Sequence, residues 1–236
     1  MLKIELAQIK IQINNRYKYL RRLCQEYLCD FETPDMVITP DAEEIEGQLK
    51  LQPQLSKGYC EGIVAYREIC RKLPLFNAVM LHSSMIEKDG KAYAICGKSG
   101  AGKSTHTNLL LKIFGENLRV INGDKPIVRL IDNELIAFPS AWKGKDKLGE
   151  KITAPLKALC FVIKNKENKL EEISKSDGAE LLMDQFVVPK EAQSVSMFLE
   201  LADLILKKCK VYKLYCDISD EAAILSFNKF MKEEEI

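Results

Sequence analysis

The stretch Gly97-Lys98-Ser99-Gly100-Ala101-Gly102-Lys103-Ser104 constrains this chain more than any other, because it matches the pattern GxxxxGK[ST] in full. Its flanks agree with it. Lys91 to Cys96 (KAYAIC) reads as a short apolar strand, and Lys103 to Phe114 (KSTHTNLLLKIF) reads as a helix. A strand, a glycine-rich turn and a helix N-terminus together form an anion cradle. Glycines let backbone N–H groups close around a phosphate, and the helix dipole adds a fixed positive end. In such a cradle Lys103 reaches the β- and γ-phosphates and the Ser104 hydroxyl ligates Mg²⁺. The expected ligand is a nucleoside triphosphate, ATP with Mg²⁺, held by residues Gly97 through Ser104 and by Thr105. The motif itself does not separate ATP from GTP.

A chain of 236 residues can bury one sizeable core, or one core with a small appended subdomain. Its 35 Lys and Arg against 34 Asp and Glu leave a formal charge of +1, so no charge excess steers it to nucleic acid or to an acidic membrane. No apolar run approaches the length of a membrane span, and no secretory apolar region opens the sequence. There are eight cysteines but no CxxC pair, and Cys60, Cys70, Cys96 and Cys160 fall in apolar-periodic segments. A reducing cytoplasm is the expected compartment.

Residues 2–13 alternate with one slip near Ala7, which predicts a strand or hairpin. Helical spacing follows over Asn14 to Cys29, a short strand over Asp35 to Thr39, and a helix from Ser56 to about Leu73, stopped by Pro74. A strand is expected over Val79–Glu87, with a tight turn at Lys88-Asp89-Gly90. Beyond the glycine-rich loop come strand Leu118–Asn122 and a hairpin about Asp132-Asn133. A polar loop over Pro139 to Thr153 leads to strand Leu156–Lys164, two helices, strand Val211–Cys216 and a closing helix. The layout predicts an α/β fold with a mixed sheet, 1–77 forming a small N-terminal α+β capping or partner subdomain and 78–236 the nucleotide-binding domain.

Asp124 closes the apolar strand after the loop helix, where an acid holds Mg²⁺ or activates a nucleophile. The alternative is a turn aspartate beside Gly123. His82 and His106 are the chain's two histidines, and both fall near the loop. His82 is the better candidate for the site, since three residues past Lys103 His106 points along its helix. The segment from Pro139 to Lys145 carries the sole tryptophan, Trp142, with Lys143 and Lys145. An aromatic with flexible cations suits a substrate-recognition loop; Trp142 tucked into the core is the competing reading.

The run Leu81 to Ser104 (LHSSMIEKDGKAYAICGKSGAGKS) resembles the catalytic domain of HPr kinase/phosphorylase, a P-loop group shared with phosphoenolpyruvate carboxykinase. The likeness rests on His82, Gly97, Ser99, Gly100, Gly102, Lys103 and Ser104, and extends to Ile121-Asn122-Gly123-Asp124-Lys125-Pro126 and Trp142-Lys143-Gly144-Lys145. It covers roughly residues 78–235. The resemblance implies an ATP-dependent kinase with Asp124, His82 and Lys103 as catalytic residues and Ser104 and Asp124 on the metal. Trp142, Lys143 and Lys145 then face the acceptor, a hydroxyl of a peptide, protein or small molecule. A homo-oligomer is also in keeping with that family. The chain departs from it where a second adjacent aspartate is replaced by Gly123, and where no arginine follows Arg129. Those departures favour the alternative of a nucleotide-binding regulatory or interaction protein without transfer activity.

Overall fold

The computed structural model describes residues 1–231. Leu2–Leu6 (β1) and Ile9–Ile13 (β2) pair as a hairpin whose turn is Ala7 and Gln8, at φ 49° and 61°. Left-handed backbone at both positions is the two-residue turn that matches strand twist, and it is the slip in the alternation. Lys18–Leu23 (α1) is shorter than the helix expected over Asn14 to Cys29. It tightens into a 3₁₀ turn at Gln25–Tyr27, because Tyr27 is drawn into the core, where its hydroxyl donates to the Ser140 carbonyl at 3.0 Å. Met36–Ile38 (β3) lies parallel to β2 and completes a three-stranded sheet.

Ala42–Leu51 (α2) was not legible as a helix. Only Ile45 and Gln48 are buried on it, so it carries almost no apolar stripe, although Asp41 caps it by accepting from the Glu44 N–H. Lys57–Lys72 (α3) is capped by Ser56 and ends in a 3₁₀ turn, Leu73–Phe76, that contains Pro74.

The second sheet begins with Ala78–Met80 (β4) and Ser83–Lys88 (β5), two strands where one was expected over Val79–Glu87. The chain steps between sheet positions at Leu81-His82: β4 pairs with Ile127–Ile131 (β8), while β5 pairs with Lys91–Cys96 (β6) and Arg119–Asn122 (β7). Burial is nearly continuous from Ala78 to Ile86, so no change of pattern marks the step. Lys103–Phe114 (α4) joins β6 to β7, and Glu134–Phe138 (β9) closes a hairpin with β8. Ala154–Lys164 (β10) pairs at its start with β9, then with β6 and with Lys210–Cys216 (β12). Lys169–Glu172 (β11) borders β12. Lys175–Met183 (α5), Ala192–Lys208 (α6) and Asp220–Ser226 (α7), the last running into a π turn at Phe227–Met231, complete the described chain.

The result is a mixed α/β fold with a curled nine-stranded sheet. One face packs on α5 and α6 through Leu182, Phe198 and Ile205, the other on α4 and α7 through Leu110, Ala222 and Ala223. The three-stranded sheet shares a core with Ala78, Met80, Ile127 and Phe138. Strands β6, β7, β10 and β12 run in one direction, since β6 and β7 are both antiparallel to β5 and β10 is parallel to β6 and β12. Their carboxyl ends therefore share one edge, where α/β sheets hold ligands. Among the described residues no helix is long and apolar enough to cross a membrane.

His106 belongs to this packing. It is 3% exposed and its Nε2 lies 2.9 Å from Ser226 Oγ, locking α4 to α7. Ser226 Oγ donates to the Ala223 carbonyl, so Nε2 carries the proton, and Nδ1 is left buried without a partner. Burial pushes the imidazole pKa down to about 4. Below about pH 6.5 the unfolded histidine takes up a proton that the folded one refuses. Stability should thus fall by up to about 3 kcal/mol between about pH 6.5 and 4 and be insensitive to this group above that window. Denaturation midpoints measured across that range should decline less in His106→Gln than in the wild-type chain.

Candidate functional site

The carboxyl edge opens into a cleft of 1860 Å³. Its floor is the turn between β6 and α4. Gly97, Gly100 and Gly102 sit at φ 147°, 79° and 110°, conformations that side-chain-bearing residues avoid, and α4 starts at Lys103 directly after them. The Lys103 ammonium donates to the Gly97 carbonyl at 2.8 Å and approaches that of Lys98 at 3.5 Å, so it lies folded along the turn. Ser104 and Thr105 are exposed in the first turn of α4, and both line the cleft with Ser99, Gly100 and Ala101. Lys98 points away, its Nζ 3.5 Å from Asp184.

Asp124 and His82 meet across the sheet. Beyond β7 the pairing with the chain before β5 continues, Ser83 N donating to the Asp124 carbonyl at 3.1 Å and Leu81 N to that of Pro126 at 2.9 Å. The two side chains are thereby set side by side, His82 Nε2 3.4 Å from Asp124 Oδ1. Lys125 Nζ approaches the same oxygen at 3.1 Å. Burial alone would raise the Asp124 carboxyl, but the His82 contact and the Lys125 charge outweigh it and hold the group below the usual carboxylate range. Asp124 is therefore ionised at neutral pH. Burial lowers the ammonium groups of both Lys103 and Lys125, and the Lys125 charge lowers Lys103 further, so two cations flank one carboxylate.

Sequence reasoning missed three residues of this arrangement. Lys125, next to Asp124, carries no motif that marks it as a site residue. Asn122, fully buried at the end of β7, accepts from the N–H groups of Asp124 and Lys125 at 2.9 and 2.7 Å and donates to the Ser140 carbonyl at 3.0 Å. This Asx turn fixes where Asp124 points, and an asparagine preceding Gly-Asp was the available signal. Gln185 accepts from Gly97 N at 3.3 Å through Oε1, while its backbone carbonyl accepts from His82 N at 2.9 Å. It ties the loop to His82 from a distant helix end, and nothing local announced it.

The loop Pro139 to Thr153 lies along β7, with Gly123 N donating to Leu148 O at 2.9 Å and Glu150 N to Val120 O at 2.8 Å. A Cβ on Gly123 would meet the Lys143 carbonyl at 3.0 Å and Leu148 at 3.2 Å, so a second acid at this position would need the loop to give by a few tenths of an ångström. Trp142 is half-buried, its ring 5.8 Å from Tyr66 and packed on the first core. Lys143 is committed to Glu26 at 2.7 Å and to the Gly149 carbonyl at 3.1 Å. Lys145 is exposed on the cleft wall. Gly144 sits at φ 77°, where an added Cβ would stand 2.9 Å from Asp124 Cβ. Gly144→Ala should cost roughly 1–3 kcal/mol and displace the carboxylate. Thermal unfolding would register the first effect, and turnover measured well below the melting temperature the second.

No family model matches the chain, and no curated protein matches it in sequence. Among solved structures, the HPr(Ser) kinase/phosphatase from Coxiella burnetii is similar over 62% of this chain and 90% of that one, at 13% identity and a TM-score of 0.35.

Proposed function

We propose that the protein is an ATP-dependent phosphotransferase of the P-loop type, transferring the γ-phosphate to a hydroxyl of a peptide, protein or small molecule. One observation carries the reading: an ionised Asp124, held between His82 and Lys125, opens onto the same cleft as a glycine-rich turn capped by Lys103 and the N-terminus of α4. An anion cradle facing a fixed carboxylate is what phosphoryl transfer needs, since the protein's share is positioning and charge.

In this reading Lys103 and the turn's backbone N–H groups take the β- and γ-phosphates, and Lys125 neutralises charge that develops on the transferring group. Lys125 suits this better than Lys143, because it stands beside the Asp124 carboxylate while Lys143 is held by Glu26. The donors present fit Mg²⁺: a hydroxyl, Ser104, and a carboxylate, Asp124, are hard oxygen ligands, and phosphates and water complete such a site. Among the described residues no larger cluster of ligating side chains competes for it. Bound there, the ion would offset charge on the phosphates. A carboxylate held ionised below its normal range is a weak base, so Asp124 serves chiefly to ligate the metal and orient the acceptor hydroxyl. His82 positions it. Residues 1–77 act as the cap in this proposal, with Tyr19, Arg22 and Tyr59 on the cleft wall where the acceptor enters.

Titrating the protein with ATP and Mg²⁺ by calorimetry, while following phosphate release in the same samples, tests the reading. Binding with slow hydrolysis supports it and opens a screen of hydroxyl acceptors; no binding refutes it. The crowding at Gly123 favours one alternative, a nucleotide-binding regulator lacking transfer, which binding without transfer to any acceptor would support.

A further inference from the structure

The cleft extends to both sides of the glycine-rich turn, and strand order gives the two ends different characters. The loop strand β6 stands in the middle of the sequence β7-β5-β6-β10-β12. Asp124 follows β7 at one end. At the other, beyond β10 and β12, the cleft is lined by Val162, Lys164, Asn165, Lys166, Asp217 and Ile218. A nucleoside triphosphate is a linear ligand. If its terminal phosphate meets Asp124 and its phosphates lie over the turn, its base has to point toward β12.

That end presents one large aliphatic side chain among polar ones. Ile218 is 75% exposed, in the connection between β12 and α7. The connection is pinned around it: Asp217 N donates to Asn168 Oδ1 at 3.0 Å, Ser219 N donates to Asp217 Oδ1 at 2.9 Å, and Asn168 Nδ2 donates to Ser219 Oγ at 3.0 Å. Ser219 in turn caps α7. A large aliphatic side chain is thus held in water by a rigid turn at the mouth of the cleft. Leu109 of α4, half-buried, lines the same cleft, while Lys164 and Lys166 stand at this end exposed and without a carboxylate partner among the described residues.

We propose that this wall is the nucleobase subsite, with Ile218 covering one face of the base and Lys164 and Lys166 on the side of the ribose and α-phosphate. The inference rests on the nucleotide reading above and adds the direction in which the nucleotide lies. Planar heterocycles bury well against aliphatic side chains, and such a contact distinguishes a nucleotide from a bare polyphosphate.

The test compares ATP with inorganic tripolyphosphate, each with Mg²⁺, by calorimetric titration of the wild-type chain, Ile218→Ser, Ile218→Met and Lys103→Ala. Ile218→Ser should weaken ATP about fivefold to tenfold while leaving tripolyphosphate within about twofold, and Ile218→Met should restore most of the ATP affinity. Unchanged ATP affinity in Ile218→Ser, or equal loss for both ligands, overturns the subsite. If Lys103→Ala changes neither ligand, the nucleotide site itself is misassigned, and that failure is distinct from the other. Because Ile218 supports no core, thermal unfolding of both Ile218 variants should match the wild type.

Discussion

Asp124→Asn is expected to lower phosphoryl transfer by about 10²- to 10⁴-fold while ATP affinity changes far less. Asparagine keeps the shape of the side chain and leaves the Asn122 turn intact, so the backbone at this point should not move. What disappears is the negative charge that His82 and Lys125 converge on at 3.4 and 3.1 Å. Single-turnover transfer and calorimetry on the same preparations separate the two quantities. Equal loss of both would mean that Asp124 shapes the nucleotide site and takes no part in transfer. The native carboxyl also sets a pH signature. Its pKa is depressed by folding, so its contribution to stability is complete above the ordinary aspartate value and is lost as pH falls through the lower folded one. Wild type and Asp124→Asn should therefore converge in stability at strongly acidic pH and diverge toward neutrality.

Lys103→Ala should reduce ATP affinity on the order of 10- to 100-fold, the scale of a charged hydrogen bond to phosphate removed from a partly buried site. Its ammonium already lies along the turn, 2.8 Å from the Gly97 carbonyl, so little reorganisation separates it from a phosphate. Burial and the neighbouring Lys125 make its proton easier to lose than that of an ordinary lysine. ATP affinity should accordingly begin to fall on the alkaline side below the normal lysine range, and binding should take up protons there. Calorimetry in buffers of differing ionisation enthalpy measures that uptake. An alkaline profile identical in wild type and Lys103→Ala would assign the titration to another group.

The glycine-rich turn was legible because its requirements are local. Positive φ at Gly97, Gly100 and Gly102 and a lysine opening the next helix are set within a few residues, and the residues announce them. The same holds for the hairpin turns at Asp89-Gly90 and Asp132-Asn133, where short polar residues tolerate left-handed backbone. Helix α2 was missed for the converse reason: its face is hardly apolar, and it is held by an N-cap and by packing of Ile45 on Cys60 and Val64 of α3.

Other features were visible as residues but not as relationships. In the sequence Trp142 reads equally as a recognition group or a core residue and Lys143 as a recognition group, and only the folded chain sets the one against Tyr66 and the other against Glu26. Lys125 reads as an unremarkable turn lysine until the sheet brings it and Asp124 toward Lys103. Gln185 lies 88 residues beyond Gly97, and no local pattern could join them.

By itself the sequence determined the glycine-rich turn, the α/β alternation and the acid at the end of β7, because backbone conformation, amphipathic period and strand ends are short-range properties. Tertiary structure alone decided that β5 breaks from β4 at His82, that the ring then stands beside Asp124, and that the loop lies tightly over Gly123. Those outcomes depend on which strands become neighbours. Strand pairing is settled by burial of the whole sheet between its helical layers, a long-range energy that no single segment carries.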